Sequence, residues 1–188
     1  HIVNPFEIFA DYLSSAIHKP YQHLIYDWLI SPEHRDVSSA YTKKQGMWII
    51  CGYGRFGKSL KKRFDSQELA TVIIEPKPEL CGLEPSSQVV KGLGTEAETL
   101  LAANIEQAVG VIAGTADDAN NLSIIMTAKE LKPTLVMVAR QNHQLKNNVF
   151  RAAGIDMLMN PNTIISNHIL ALLKAPLLID FLEHLPLQ

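Results

Sequence analysis

The residues best placed to do chemistry are three glycines, Gly52, Gly54 and Gly57, in a G-x-G-x-x-G spacing. The chemistry they suggest is the holding of phosphates. Gly52 allows a sharp turn, and Gly54 leaves out a side chain where a pyrophosphate would approach the backbone. Gly57 lets a following helix pack closely on the preceding strand. The first helical N–H groups then face the phosphates, aided by the helix dipole. Tyr53, Arg55 and Phe56 occupy the variable positions of the same loop. A second group is Glu75, 18 residues beyond Gly57. A carboxylate at such a strand end can accept hydrogen bonds from the ribose hydroxyls of an adenosine.

A glycine triplet alone arises often by chance, so its setting matters. Met47 to Cys51 is apolar without interruption, and Thr71 to Ile74 is β-branched or apolar throughout. Both read as buried strands. Further strands are predicted near 88–91, 108–113, 134–139 and 156–159. Helices are predicted near 55–66, 95–103, 118–131, 143–152 and 162–173, with a last short one near 177–184. Alternating strands and helices imply a parallel sheet covered on both faces. Right-handed crossovers make it a Rossmann-like, doubly wound α/β sheet of about six strands in the order 3-2-1-4-5-6.

That order brings three loops to one crevice: Gly52–Gly57, Gly92–Thr95 and Gly114–Asn121. Thr95 and Glu98 have the spacing of a capping box. Asp117 and Asp118 read as caps of the helix at 118–131.

The N-terminal residues 1–46 read as a helical segment and linker, and 47–188 as the main domain. Asn4 can cap a helix with Pro5 in its first turn, and Pro20 ends or restarts it. A second helix is expected near 21–29 and a linker over 37–46. The aromatic stripe Phe6, Phe9, Tyr12 suggests packing. These helices are too few to bury their own faces, so they must dock on the main domain, a partner or an upstream segment. The chain opens on His1 rather than Met, as a fragment or a tagged chain would.

Other chemistries lack their residues. The net charge of −2 supplies no basic surface for nucleic acid. The seven histidines show no zinc spacing, no G-x-S-x-G marks a nucleophile elbow, and no Tyr stands four residues before a Lys. Catalytic and metal sites are therefore not expected. Two cysteines, Cys51 and Cys81, form no disulfide framework. No apolar run reaches 18 residues, so none spans a membrane.

Taken together, C-G-Y-G-R-F-G at 51–57, Glu75, G-L-G-T at 92–95, T-A-D-D-A-N-N at 115–121, V-A-R at 138–140 and A-A-G-I-D-M-L-M-N-P at 152–161 resemble the TrkA-N, or RCK, family. This family comprises nucleotide-binding regulators of potassium channels and transporters. The resemblance covers about 47–174. It implies binding of NAD(H) or an adenine nucleotide (AMP, ADP or ATP), and assembly as a homodimer or larger ring. In it, helix 162–173 takes the place of the family's crossover helix. It places Arg55 near the pyrophosphate, Glu75 on the ribose, Thr115 and Asp117 on the far side of the crevice, and Arg140 beneath it. Gly92 and Thr95 line the second loop. Leu93 departs from the family's usual acid. The segment N-P-F-E-I-F-A resembles the join between membrane helices and a first RCK domain.

The expected function is that of a non-catalytic nucleotide sensor on the cytoplasmic face of a potassium channel or transporter. The alternative is a small NAD-dependent oxidoreductase. A third reading is a domain with a vestigial site, kept as a dimeriser.

Overall fold

The computed structural model describes residues 4–18, 46–84, 86, 88–143 and 147–174. Six strands form one parallel sheet: β1 (Met47–Cys51), β2 (Thr71–Glu75), β3 (Val89–Lys91), β4 (Ala108–Ala113), β5 (Val136–Arg140) and β6 (Met157–Met159). Their order is β3-β2-β1-β4-β5-β6, the order expected from the sequence. The helices are α1 (Pro5–His18), α2 (Arg55–Ser66), α3 (Ala97–Ala102), α4 (Asp118–Leu131), α5 (Asn147–Ala152) and α6 (Pro161–Lys174).

Strand alternation sorts the core into two layers. Trp48 and Ile50 of β1 point to the face covered by α1 and α2, where they join Phe56, Leu60, Ile73, Ile112 and Val138. Ile49 and Cys51 point to the opposite face, among Leu100 of α3, Ile124 and Ala128 of α4, and Phe150 of α5. Both faces are dry, which is why the strands are continuous apolar runs. The Trp48 ring occupies the space beside Gly110 of β4, where any β-carbon would collide with it. The helices change sides between β1 and β4, and the crevice at this switch point opens at the strands' C-terminal ends.

α1 docks on α2. Its apolar positions Phe6, Phe9, Ala10, Leu13, Ala16 and Ile17 are all buried. They recur at the three- and four-residue intervals of one helix face. The Phe56 ring receives Phe6 at 6.0 Å and Phe9 at 5.7 Å between centroids. α1 also touches α6.

Element boundaries shift in a few places. The fifth strand begins at Val136 rather than 134, because the chain is still turning where Leu135 N–H bonds to the Lys132 carbonyl. The helix expected over 95–103 is shorter, Ala97–Ala102. Of the helix expected over 143–152, Asn147–Ala152 is helical. The first N-terminal helix, expected to follow Asn4 and to end or restart at Pro20, is Pro5–His18 within the described residues. The helices expected near 21–29 and 177–184, and all of the 37–46 linker except Gly46, lie outside the described residues.

Candidate functional site

The glycine turn leaves β1 with Gly52 at φ +95, a left-handed conformation that favours glycine. A β-carbon on Gly52 would lie 3.3 Å from the Thr115 Cα, so the turn is pressed against the loop after β4. One on Gly57 would run into the Gly52 carbonyl oxygen, so helix and turn could not close up. Gly54, at the N-cap of α2, differs: a β-carbon there meets nothing within 4 Å. The space over Gly54 is open, and the unpaired N–H groups at the start of α2 are beside it.

The backbone ties neighbouring strand ends together. Gly52 N–H donates to the Ile74 carbonyl at 2.8 Å, Gly114 N–H to the Cys51 carbonyl at 2.9 Å, and Gly92 N–H to the Glu75 carbonyl at 3.2 Å. Glu75 adds a side-chain brace that the sequence reading lacked. Its Oε2 accepts from Tyr53 N–H at 2.8 Å and its Oε1 from Lys77 N–H at 3.2 Å. An ionised carboxylate has about four acceptor positions. Glu75 can hold the turn and still accept further hydrogen bonds.

The loop after β3 is organised differently from expectation. Thr95 and Glu98 form no capping box. The helix begins at Ala97, which puts Glu96 at the N-cap and Thr95 one residue too early. Thr95 Oγ1 instead donates to Glu96 Oε1 at 2.8 Å, and the Thr95 carbonyl accepts from Thr127 Oγ1 at 3.0 Å. Gly92 and Gly94 have steric reasons of their own. A β-carbon at Gly92 would lie 2.6 Å from Thr99 Cγ2, and one at Gly94 2.9 Å from Cys51 Sγ.

In the loop after β4 the two aspartates separate. Asp117 caps α4, accepting from Asn120 N–H at 2.8 Å. Asp118 is not a cap. It is buried and accepts from Asn142 N–H at 2.7 Å, Asn142 Nδ2 at 2.8 Å and His143 N–H at 3.0 Å, pinning the end of β5. Asn121, to which the sequence reading gave no role, is the hub. Its Oδ1 accepts from Thr115 N–H at 2.9 Å and Thr115 Oγ1 at 2.7 Å. Its Nδ2 donates to the carbonyls of Thr115 at 3.1 Å and Arg140 at 2.9 Å. The signal for it was available: an Asn four residues after a cap lies over the cap on the same helix face.

Two arginines complete the rim. Arg55 opens α2 and Arg140 ends β5. Both guanidinium groups stand over the ring of Phe6, Arg55 at 5.4 Å and Arg140 at 5.1 Å from its centroid. These are cation–π distances. Burial holds the Arg140 pKa below the usual arginine value. Repulsion from Arg55 adds to this, and attraction to Asp118 offsets part of it. The buried Arg140 Nε has no hydrogen-bond partner among the described residues. Phe56, by contrast, is not a crevice side chain. Its ring is buried in the core under α1, so only its backbone N–H faces the turn. Tyr53 is half-buried, with Lys58 Nζ 5.7 Å from its ring centroid. Phe6, so placed, was read from the sequence only as packing.

The rim thus runs unbroken from Gly92 through Glu75, Tyr53, Gly52 and Thr115 to Asn121 and Arg140. It offers backbone donors and two guanidinium groups around an open space, together with the Glu75 carboxylate. This is equipment for binding a phosphate-bearing molecule. Among the described residues no group of His, Cys, Asp and Glu could hold a metal ion, and no helix is long and apolar enough to cross a membrane.

Comparison with known proteins agrees with this geometry. Potassium channel protein 1 of Methanocaldococcus jannaschii is 30% identical over 155 residues, 80% of this chain and 46% of that protein. A Trk system potassium uptake protein TrkA homolog of Methanothermobacter thermautotrophicus is 30% identical over 71% of this chain and 63% of its own. This chain thus spans less than two thirds of either relative. The structure of the GsuK channel bound to NAD superimposes with a TM-score of 0.56 at 26% identity, over 84% of this chain and 25% of that one. The model of the TrkA-N domain matches residues 48–161, more than half of the sequence, and the chain belongs to the TrkA-N domain family.

Proposed function

We propose that this chain is a non-catalytic, nucleotide-binding regulatory unit of a potassium transport protein. It holds NAD(H) or an adenine nucleotide (AMP, ADP or ATP) across the C-terminal ends of β1 and β4. The phosphates lie over Gly52, Tyr53, Gly54 and the N–H groups of Arg55, Phe56 and Gly57, with Arg55 supplying charge. Glu75 takes the adenosine ribose, Gly92 and Thr95 flank the base, and Thr115, Asp117 and Arg140 close the far side. The unit works on the cytoplasmic face of a membrane channel or transporter and assembles as a homodimer or larger ring. Nucleotide exchange biases the attached pore by its differential affinity for the two states.

The observation that carries this reading is the open space over Gly54, bounded by free helix N–H groups and by Glu75. Support also comes from relatives named as potassium channel and potassium uptake proteins, and from the NAD bound to the GsuK channel. Calorimetry with NADH, AMP, ADP and ATP tests the reading. Saturable binding of at least one, lost in Gly54→Asp while circular dichroism is unchanged, is the expected result. Unchanged affinity in that variant would place the ligand elsewhere. Against the oxidoreductase alternative, NADH oxidation with common aldehydes, ketones and keto acids should stay at background.

A further inference from the structure

The base end of the crevice is framed by two loops, one after β2 and one after β3. Their strands end side by side, with Glu75 opposite Lys91 in the parallel register. Beyond that pair the loops stay together. Gly92 N–H donates to the Glu75 carbonyl at 3.2 Å, and Lys91 Nζ lies 3.9 Å from Glu79 Oε1. Each loop carries an exposed leucine. Leu80, 76% exposed, is in the short turn Pro78–Cys81, and Leu93, 38% exposed, follows Gly92. Lone exposed leucines are ordinary. Two on adjoining loops beside a ligand crevice make an apolar border. The Leu93 loop is also fixed. Gly94 has φ +81, and a β-carbon on it would come 2.9 Å from Cys51 Sγ, so the loop is pressed on the end of β1.

Purines are told apart by the groups on their edges. Adenine presents an N6 amino donor where guanine presents an O6 acceptor. Hypoxanthine carries the same O6 as guanine. Reading that difference takes a free polar group held in place. On these two loops the side chains that could do so are engaged or solvated, and much of the backbone is spent. Pro76 and Pro78 have no N–H. Lys77 N–H donates to Glu75 Oε1 at 3.2 Å, and Leu80 N–H to the Lys77 carbonyl at 3.1 Å. Thr95 Oγ1 donates to Glu96 Oε1 at 2.8 Å, and the Thr95 carbonyl accepts from Thr127 Oγ1 at 3.0 Å. Lys77 and Glu98 are exposed, and charges in water are screened. The ribose and the phosphates meet the opposite situation. The Glu75 carboxylate keeps free acceptor positions, and the space over Gly54 is open.

We propose that this unit does not read the purine. The proposal rests on the nucleotide reading above and adds the ligand class: purine nucleotides at large, with adenine and hypoxanthine accepted alike. Glu75 and the glycine turn select the ribose and the phosphates. Leu93 and Leu80 cover the base by apolar contact, which is much the same for any purine face. Leu93 is the residue that sets this tolerance. It stands on the loop that flanks the base, between Gly92 and Thr95, where a carboxylate would discriminate between base edges.

Two matched pairs test this by calorimetry on the full chain: AMP with IMP, and NADH with its hypoxanthine analogue. Within each pair only the base edge differs. In the parent, the members of a pair should have dissociation constants within about threefold of one another. Leu93→Asp should separate them by roughly tenfold or more. The direction follows from which donor the carboxylate meets, the N6 amino group of adenine or the N1–H of hypoxanthine. Leu93→Ala should weaken both members by about the same factor, through lost apolar cover. Leu93 is exposed, so both variants should keep the parent's circular dichroism. A parent that prefers one base by about tenfold or more would overturn the proposal. An Asp variant whose ratio stays at the parent value would overturn it too, by placing the base away from Leu93. A base preference in the parent leaves the nucleotide reading intact. Binding of no member of either pair would remove that reading, and this proposal with it.

Discussion

At the scale of single residues, the glycine turn separates positions that are sterically closed, Gly52 and Gly57, from one that is open, Gly54. Gly57→Ala should destabilise the chain by about 1–3 kcal/mol, a typical overpacking cost, because the new methyl meets the Gly52 carbonyl. Thermal melting would show this with no ligand present, and an unchanged melting temperature would mean that α2 can shift away from β1. Gly54→Asp meets no such obstacle, so its effect should appear in binding alone. The two cysteines contrast in a similar way. Burial pushes the Cys51 thiol up to about 12, whereas Cys81 is partly accessible. At pH 8 about one Cys51 in ten thousand is thiolate, and thiolate is the reactive form. Ellman's reagent should titrate one thiol per native chain quickly and the second only after unfolding. Two fast thiols would contradict the packing of Cys51 between the sheet and Gly94. The roles of Gly52 and Gly57 were legible in the sequence because backbone sterics act over a few residues. The hub role of Asn121 was legible only in part: its bonds to Thr115 are local, whereas the Arg140 carbonyl reaches it only once β4 and β5 are aligned.

At the scale of elements, α1 docks by its buried apolar face, while its ion pair lies at the edge with the Asp11 side chain 61% exposed. Asp11 reaches Arg63 of α2 at 3.0 Å, yet the Asp11 carboxyl lies above its usual range. Burial outweighs the attraction of Arg63, and Glu7 adds a smaller repulsion. A carboxyl whose folded pKa is raised favours the folded state most when protonated. Its contribution declines as the pH rises from the unfolded pKa through the folded one. Asp11→Asn should therefore leave the melting temperature at pH 7 unchanged or slightly higher, and make no difference well below pH 4. A clear fall at pH 7 would show the ion pair to be the stronger force. Phe9→Ala should act in the opposite sense, costing about 3–5 kcal/mol of α1 docking. It should also accelerate hydrogen exchange in α1 ahead of the sheet. Strand order, and the bounds of α2 and α4, followed from the sequence because long apolar periods and Asp117 mark them. The short α3 did not, since six residues carry little periodicity and Thr95 imitates a cap.

At the scale of the whole molecule, the choice of nucleotide can be read as a stability difference. Glu75 faces the crevice with one oxygen on Tyr53 N–H and the other on Lys77 N–H, and this fixes its carboxylate in place. Two ribose hydroxyls can donate to it, whereas a 2′-phosphate would face like charge. At about 5 Å and an effective dielectric of about 20, that repulsion is roughly 3 kcal/mol per unit charge. The exposed Lys77 ammonium offsets a screened fraction of it. NAD(H) should therefore bind at least about tenfold more tightly than NADP(H), a gap that needs only about 1.4 kcal/mol. A ligand at 100 times its Kd stabilises the folded chain by about 2.7 kcal/mol. For a chain of this size that is about 5–10 °C in melting temperature. Saturating NADH should raise the melting point by this amount. NADPH at the same concentration should raise it by about 1.4 kcal/mol less, or several degrees. Glu75→Gln should narrow the gap from both sides, weakening the ribose contact and relieving the repulsion. It should also lower the unliganded melting point, because the neutral amide braces the Tyr53 and Lys77 N–H groups less strongly. Equal shifts from NADH and NADPH in the parent chain would mean that Glu75 serves the turn alone, and the ribose would then have to be sought elsewhere on the rim.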